Sequence, residues 1–326
     1  MRVMEVNTPA MPILTRSIAA GGILAVLTAT ASAKIERVVE KSFQVQPGVH
    51  LTVSTSGGEI RVIPSSDSVV KVVAKEHIRA SSEADADALL LKLDLVIEQR
   101  GDGVVATAAY KEGGFHFGSW PPVQVDFIVT VPSRASVDLR TSGGDIVVGD
   151  LDGTVKAHTS GGEIELGKIG GDIDAHTSGG NVRLDEGRGS VKLSTSGGNI
   201  SAGRVAGPAD LRTSGGDIRV DAVENTLSAH TSGGDVRAVF AGPLRGDCSL
   251  STSGGEVKAT VAQGAGFQLD ASTSGGEVNA AGITITIDRG GMGKSSLSGA
   301  VNGGGPLLKL HSSGGDIVVA SRKDAA

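Results

Sequence analysis

An all-β fold, a parallel β-solenoid with about 18 residues per coil, is predicted by three observations. The tetrapeptide TSGG begins at Thr55, Thr141, Thr159, Thr177, Thr195, Thr213, Thr231, Thr252 and Thr273, with an SSGG variant at Ser312. From Thr141 to Thr231 the spacing is 18 residues, five times running; it then becomes 21 twice, and 39 before Ser312. Beneath this lies a nine-residue apolar period, from Ile146, Val155, Ile164 and Ile173 through Ile218, Leu227 and Val236. Two residues after each comes a second small or apolar side chain, such as Val148, Ala157, Leu166 and Ala175. That is period-2 alternation in short bursts, the pattern of strands with one buried face.

Each 18-residue unit therefore holds two short strands and two turns. One turn is the SGG corner. The other carries Gly153, Gly171, Gly189 and Gly207, then Asn225. Glycine and asparagine at one position suggest a left-handed residue, so positive φ is expected there. A single unit cannot bury its own apolar stripe, whereas stacked units can. The core must be thin, because Ala, Val, Ile and Leu fill it and no aromatic occurs between Phe127 and Phe240. Much of the glycine, 49 of 326 residues, then belongs to turn columns rather than to linkers. Outward positions Lys156, Asp174, Lys192, Asp210 and Ser228 alternate in charge from coil to coil, which favours neighbours in a parallel ladder.

In chain order, residues 1–33 read as a secretory signal. Arg2 and Arg16 precede the apolar stretch Ile18 to Thr30, and Ala31-Ser32-Ala33 is an A-x-A cleavage site. The stretch is too short and too rich in Gly, Ala and Thr for a spanning helix of about 20 residues. Residues 34–140 form an N-terminal β-rich capping region, with alternation at Val49-Leu51-Val53 and Val123-Val125-Phe127. It contains one short helix between Ser82 and Leu93, where Ser82 with Asp85 resembles a capping box. Gly101-Asp102-Gly103 turns one strand back on another. Residues 141–238 form the regular solenoid. Residues 239–326 are expected to form wider, looser coils and a closing segment ending at Ile317-Val318-Val319.

Composition excludes several classes. Net charge is −6, so a basic nucleic-acid face is not expected. One cysteine excludes an internal disulfide framework and any CxxC zinc site; Cys248 reads as a small buried residue. Export would remove the supply of ATP and NAD, and no later segment could span a membrane as a helix. Near Gly290-Gly-Met-Gly-Lys294-Ser295 the phosphate-loop pattern needs glycine where Asp288 stands, so no nucleotide is expected. HExxH and GxSxG are missing, and no cofactor or metal is expected. The column after each GG is Asp145, Glu163, Asn181, Asn199, Asp217, Asp235, Glu256, Glu277 and Asp316. Stacked carboxylates suit calcium, but the preferred reading is that they bond nearby turn amides. His158, His176 and His230 occupy equivalent places and read as solvated surface residues, since Ser194 and Arg212 interrupt them. The one compositional hot spot is YKEGGFHFGSW, where Tyr110, Phe115, Phe117 and Trp120 gather half of the eight aromatics. It is a candidate ligand-binding loop, or else a plug for the end of the core.

The segments FIVTVPSRASVDLRTSGGDIVV (127–148) and LSGAVNGGGPLLKLHSSGGDIVV (297–319), together with the TSGG[DEN][IV] units, resemble an exported bacterial β-strand-repeat family of "putative adhesins", the DUF4097-type domain. The resemblance implies a β-solenoid and an envelope or surface role, and supplies no catalytic residues. The expected function is a non-catalytic exported envelope or surface scaffold whose partner is an envelope glycan or protein, resident in the periplasm or at the cell surface. The alternatives are a periplasmic structural or envelope-stress accessory protein and a β-helix enzyme acting on polysaccharide.

Overall fold

The computed structural model describes residues 24–28, 35–111, 122–287 and 293–322. Two sheets of 14 strands each lie face to face, one core between them. Each regular coil contributes one strand to each sheet. Strands such as Ile164–Ile169 and Ile173–His176 alternate buried and outward residues, as the period-2 pattern requires. Like residues stack on like at an 18-residue shift: Ile146 pairs with Ile164, Val182, Ile200, Ile218 and Val236 in succession. The other sheet stacks Val155, Ile173, Val191, Ala209 and Leu227. The regular coils contain no aromatic. Buried Phe127, Phe240 and Phe267 lie only in coils toward the ends or at a register shift, where the thin core widens.

The TSGG corner is explained by its hydroxyl. From Thr141 onward each corner threonine is buried and bonds in two directions. Thr177 Oγ1 donates to the Gly162 carbonyl of the preceding coil at 2.8 Å and accepts the Gly180 N–H of its own coil at 3.3 Å. The same pair of bonds recurs at Thr141, Thr159, Thr195, Thr213, Thr231, Thr252 and Thr273, and Ser312 supplies it with serine. A hydroxyl both donates and accepts, and a side chain short enough to stay inside the corner is either Thr or Ser. The second glycine is fixed by crowding: a Cβ on Gly180 would sit 2.0 Å from the Gly162 carbonyl oxygen. The first is less confined, with 3.5 Å available at Gly179.

The opposite corner departs from the sequence-based expectation. Gly153, Gly171, Gly189, Gly207 and Asn225 are not among the residues with positive φ. At Gly153, Gly171, Gly189 and Gly207 glycine is needed because coils approach backbone to backbone. A Cβ on Gly207 would lie 1.9 Å from the Gly189 carbonyl oxygen, and one on Gly153 2.1 Å from that of Ala135.

Both ends of the stack are built out of chain order. His50–Thr55 and Ile60–Ser65 form a regular coil, in register with Ser136–Thr141 and Ile146–Val148. On its other side lies a later coil, Gly103–Tyr110 with Val123–Pro132. The first coil in the sequence is thus the second in space, and residues 34–140 contain solenoid as well as cap. The cap proper is antiparallel. Leu93–Arg100 closes one sheet against Gly103–Tyr110, and Val69–Ile78 followed by Ile35–Gln44 closes the other. The helix Glu83–Leu90 begins at Ser82, whose hydroxyl accepts the Asp85 N–H at 3.2 Å, and buries Ala86. Leu24–Thr28, inside the expected leader, runs antiparallel to Ile35–Gln44.

The C-terminal end repeats the device. Leu307–Ser312 and Ile317–Arg322 form the last coil in the sequence, yet they lie between the coil of Cys248–Thr252 and Val257–Ala262 and the coil of Phe267–Thr273 and Val278–Ala281. The long gap before Ser312 therefore reflects this return. Register is kept through these longer units, from Val236 through Val257 and Ile317 to Val278. The additional residues lie in the segments 241–247 and 263–266 and in the antiparallel strands Ile285–Ile287 and Ser296–Val301, which close the sheet edge over Phe267–Thr273.

Candidate functional site

What the fold offers to a partner is its two outer faces. On the sheet that includes Val155–His158, two outward columns run along the stack. The first is Asp138, Lys156, Asp174, Lys192, Asp210, Ser228, as the sequence alternation predicts. Lys192 reaches Asp174 on the adjacent coil at 3.9 Å, while Asp138 and Asp210 pair with Arg140 and Arg212 on their own strands. These are exposed pairs, each worth at most about 1 kcal/mol.

The second column reads Arg140, His158, His176, Ser194, Arg212, His230, Ser251, His311, Ser272. Serine hydroxyls hold three of the imidazoles through Nδ1: Ser194 on His176 at 2.9 Å, Ser251 on His230 at 2.9 Å and Ser272 on His311 at 3.2 Å. His158 differs. Its Nδ1 is buried without a hydrogen-bond partner, and burial lowers its pKa below the ordinary histidine value. Its ring centroid is 6.1 Å from that of His176. His311 is an addition to the three histidines read from the sequence. Its signal was there, since it precedes SSGG as His158 precedes TSGG. Among the described residues no three His, Cys, Asp or Glu side chains are gathered as a metal site requires.

The acidic and amide column after each GG is occupied by a ladder of its own. Asp145 Oδ1 accepts the Glu163 N–H, Asn181 Oδ1 that of Asn199, Asn199 Oδ1 that of Asp217, and Asp217 Oδ1 that of Asp235, each at 2.8 Å. The bonded amides belong to the next coil, not to the side chain's own turn. Capping the next coil in this way engages one oxygen of each of these side chains on a backbone amide.

On the opposite sheet the outward column reads Glu165, Arg183, Ser201, Arg219, Arg237, Lys258. This basic stripe was not singled out from the sequence. Its position, one residue after the Ile or Val that follows each GG motif, made it legible.

Of the aromatic cluster, Tyr110 is described. Its hydroxyl donates to the Val123 carbonyl at 2.9 Å and accepts the Val123 N–H at 2.8 Å, pinning the start of Val123–Pro132. The ring packs against the core, and burial raises its pKa. Phe115, Phe117 and Trp120 lie outside the described residues. Cys248 is buried, its Sγ 3.5 Å from the Gly246 carbonyl, and burial raises the thiol pKa. Lys294, in the phosphate-loop-like segment, is exposed and lies 3.7 Å from Glu277. That segment follows Ile285–Ile287 and leads into the antiparallel strand Ser296–Val301, whereas a phosphate loop leads into a helix. No described helix is long and apolar enough to cross a membrane.

Stacked two-strand coils closed by antiparallel strands, with continuous side-chain columns outside, define a capped β-solenoid repeat protein. The chain belongs to the Toastrack DUF4097 family, whose model matches residues 49–320. Similar solved structures include a "putative adhesin" from Bacteroides fragilis NCTC 9343, 11% identical, covering 86% of this chain and 96% of that one with a TM-score of 0.38. Another is a "putative lipid binding protein" from Parabacteroides distasonis ATCC 8503, 14% identical over 86% of this chain and 96% of that one, TM-score 0.40. A "putative adhesin" from the same organism is 14% identical over the same shares, TM-score 0.36. No curated protein matches the chain.

Proposed function

We propose that the protein is a non-catalytic, exported scaffold of the cell envelope or surface, binding an envelope glycan or protein in the manner of an adhesin. The observation that carries this is the run of outward columns along both sheets. Parallel stacking repeats side chains at strand spacing, about 4.8 Å, so individually weak contacts add along a face. The groups that acid–base chemistry would use are engaged elsewhere: the Asp and Asn column caps backbone amides, and three column histidines are held by serines.

Export rests on the leader pattern of residues 1–33. Removing that segment would take away Leu24–Thr28 and leave Ile35–Gln44 as a sheet edge. Glu36, Arg37, Glu40 and Lys41 place charge along that edge, which is how natural sheets resist edge-to-edge association. A pull-down from envelope extract tests the proposal, with specific capture of one glycan or protein expected. Recovery of no specific partner would overturn it in favour of a purely structural accessory role. Protease shaving of intact cells distinguishes surface display from periplasmic residence.

A further inference from the structure

One position breaks the stripe on the Arg183 sheet. On the opposite sheet the chain places Asp174 between Lys156 and Lys192. Between Arg183 and Arg219 it places Ser201. Beside it, Gly203 lies so close to the next strand that a Cβ would be 2.4 Å from the Asp185 carbonyl oxygen. Two short residues thus open a notch of about 290 Å³ between the longer side chains of the coils on either side. Its floor is Ser201, Ala202 and Gly203. Its walls are two copies of one arrangement, Arg183 with Asp185 and Arg219 with Asp221.

Each wall is an ion pair on a single strand, Nε to Oδ1, at 3.6 Å for Arg183 and 2.8 Å for Arg219. All four side chains are more than half exposed, so these pairs contribute little to stability. Pairing through Nε leaves the terminal Nη hydrogens of each guanidinium and the second oxygen of each carboxylate for something else. The walls stand two strands apart, roughly 9–10 Å. Each wall is electrically neutral and offers both donors and acceptors. An anion would meet two carboxylates and a cation two guanidiniums. A ring bearing adjacent hydroxyls, which donate and accept at once, meets both groups on both sides.

We infer that this notch is a binding site for a neutral saccharide, with Arg183, Asp185, Arg219 and Asp221 gripping hydroxyls and Ser201 giving the clearance. The volume is close to the lower end of ligand pockets, roughly 300–1,000 Å³, which suits a single sugar ring within a longer chain. This deepens the envelope-binding reading and rests on it.

The test is an array of neutral and acidic oligosaccharides, probed with the wild-type chain, S201W, R183A/R219A and K258A. Lys258 belongs to the same column but lies outside the notch. Wild type and K258A should retain neutral oligosaccharides. S201W, which fills the notch, and R183A/R219A should each lose about tenfold or more, the worth of one or two charge-assisted hydrogen bonds. All positions are on the outer face, so thermal midpoints should stay together. No retained saccharide, retention of acidic sugars alone, or full retention by both notch variants would each overturn the inference. Repeating the envelope pull-down with S201W separates the two proposals. Capture by wild type that S201W leaves intact removes the notch and keeps the scaffold, whereas no capture by wild type removes the scaffold.

Discussion

Thr177→Val removes a hydroxyl while keeping shape and volume, and so isolates the corner ladder. Thr177 is fully buried. Its Oγ1 donates to the buried Gly162 carbonyl at 2.8 Å and accepts from Gly180 N–H at 3.3 Å. The first bond is short, and its loss leaves a buried acceptor without its partner, which costs about 1–3 kcal/mol. The second is long and adds a few tenths. A total near 2 kcal/mol is expected, visible as a lower urea midpoint at unchanged slope. Thr177→Ser keeps both bonds and loses one methyl group, so its cost should stay near or below about 0.8 kcal/mol. Ser312 already occupies this position in its own coil. If Val and Ser variants prove equally stable, the hydroxyl is not what the corner requires, and the account of TSGG fails.

Gly180→Ala should destabilise by about 3 kcal/mol through overpacking, because its Cβ would meet backbone, while Gly179→Ala should cost far less; equal effects in denaturant melts would contradict the crowding argument. Calcium titration should leave the melting temperature unchanged, since the Asp and Asn column is engaged in capping; a rise with calcium would show a site there. His158 has a folded pKa below its unfolded value near 6.5, so the unfolded chain binds the proton more readily. Its contribution is fully present above about pH 6.5 and is lost as pH falls through the lower folded value. Stability should therefore decline across that acidic window by less in His158→Gln than in wild type, as pH-dependent denaturant melts would show. The Cys248 thiol should resist alkylation until the chain unfolds; rapid labelling of the native protein would place it at the surface.

The regular part of the fold was legible because one residue type at one place had one physical cause. Buried aliphatics at nine-residue spacing gave the strands, and Lys156, Asp174 and Lys192 gave the register. The helix start at Ser82 followed from its cap. Glycine misled because two causes share one residue: Gly153 and its equivalents serve close backbone approach, not positive φ. The order of coils at the two ends was not legible. A TSGG unit carries the same stacking surface above and below, so nothing local tells Ser312 to lie between Thr252 and Thr273. The notch at Ser201 lay in plain view as one short residue between Arg183 and Arg219 at the 18-residue spacing, but its depth also depends on how closely the backbone at Gly203 approaches Asp185.

The returning coil at the C-terminal end sets an order of assembly. Leu307–Arg322 must enter between two coils that precede it in the chain, so the coil of Phe267–Ala281 cannot dock until the last residues are available. Synthesis supplies Leu307–Arg322 only after both of its neighbours in the stack. Until then the stack lacks two coils, Leu307–Arg322 itself and the coil of Phe267–Ala281 that docks on it. Non-local pairings of this kind are slow to form. Once formed, they also mean that the end coil cannot peel away as the tip of the chain: loosening the final residues opens a gap inside the stack, against ladders on both sides.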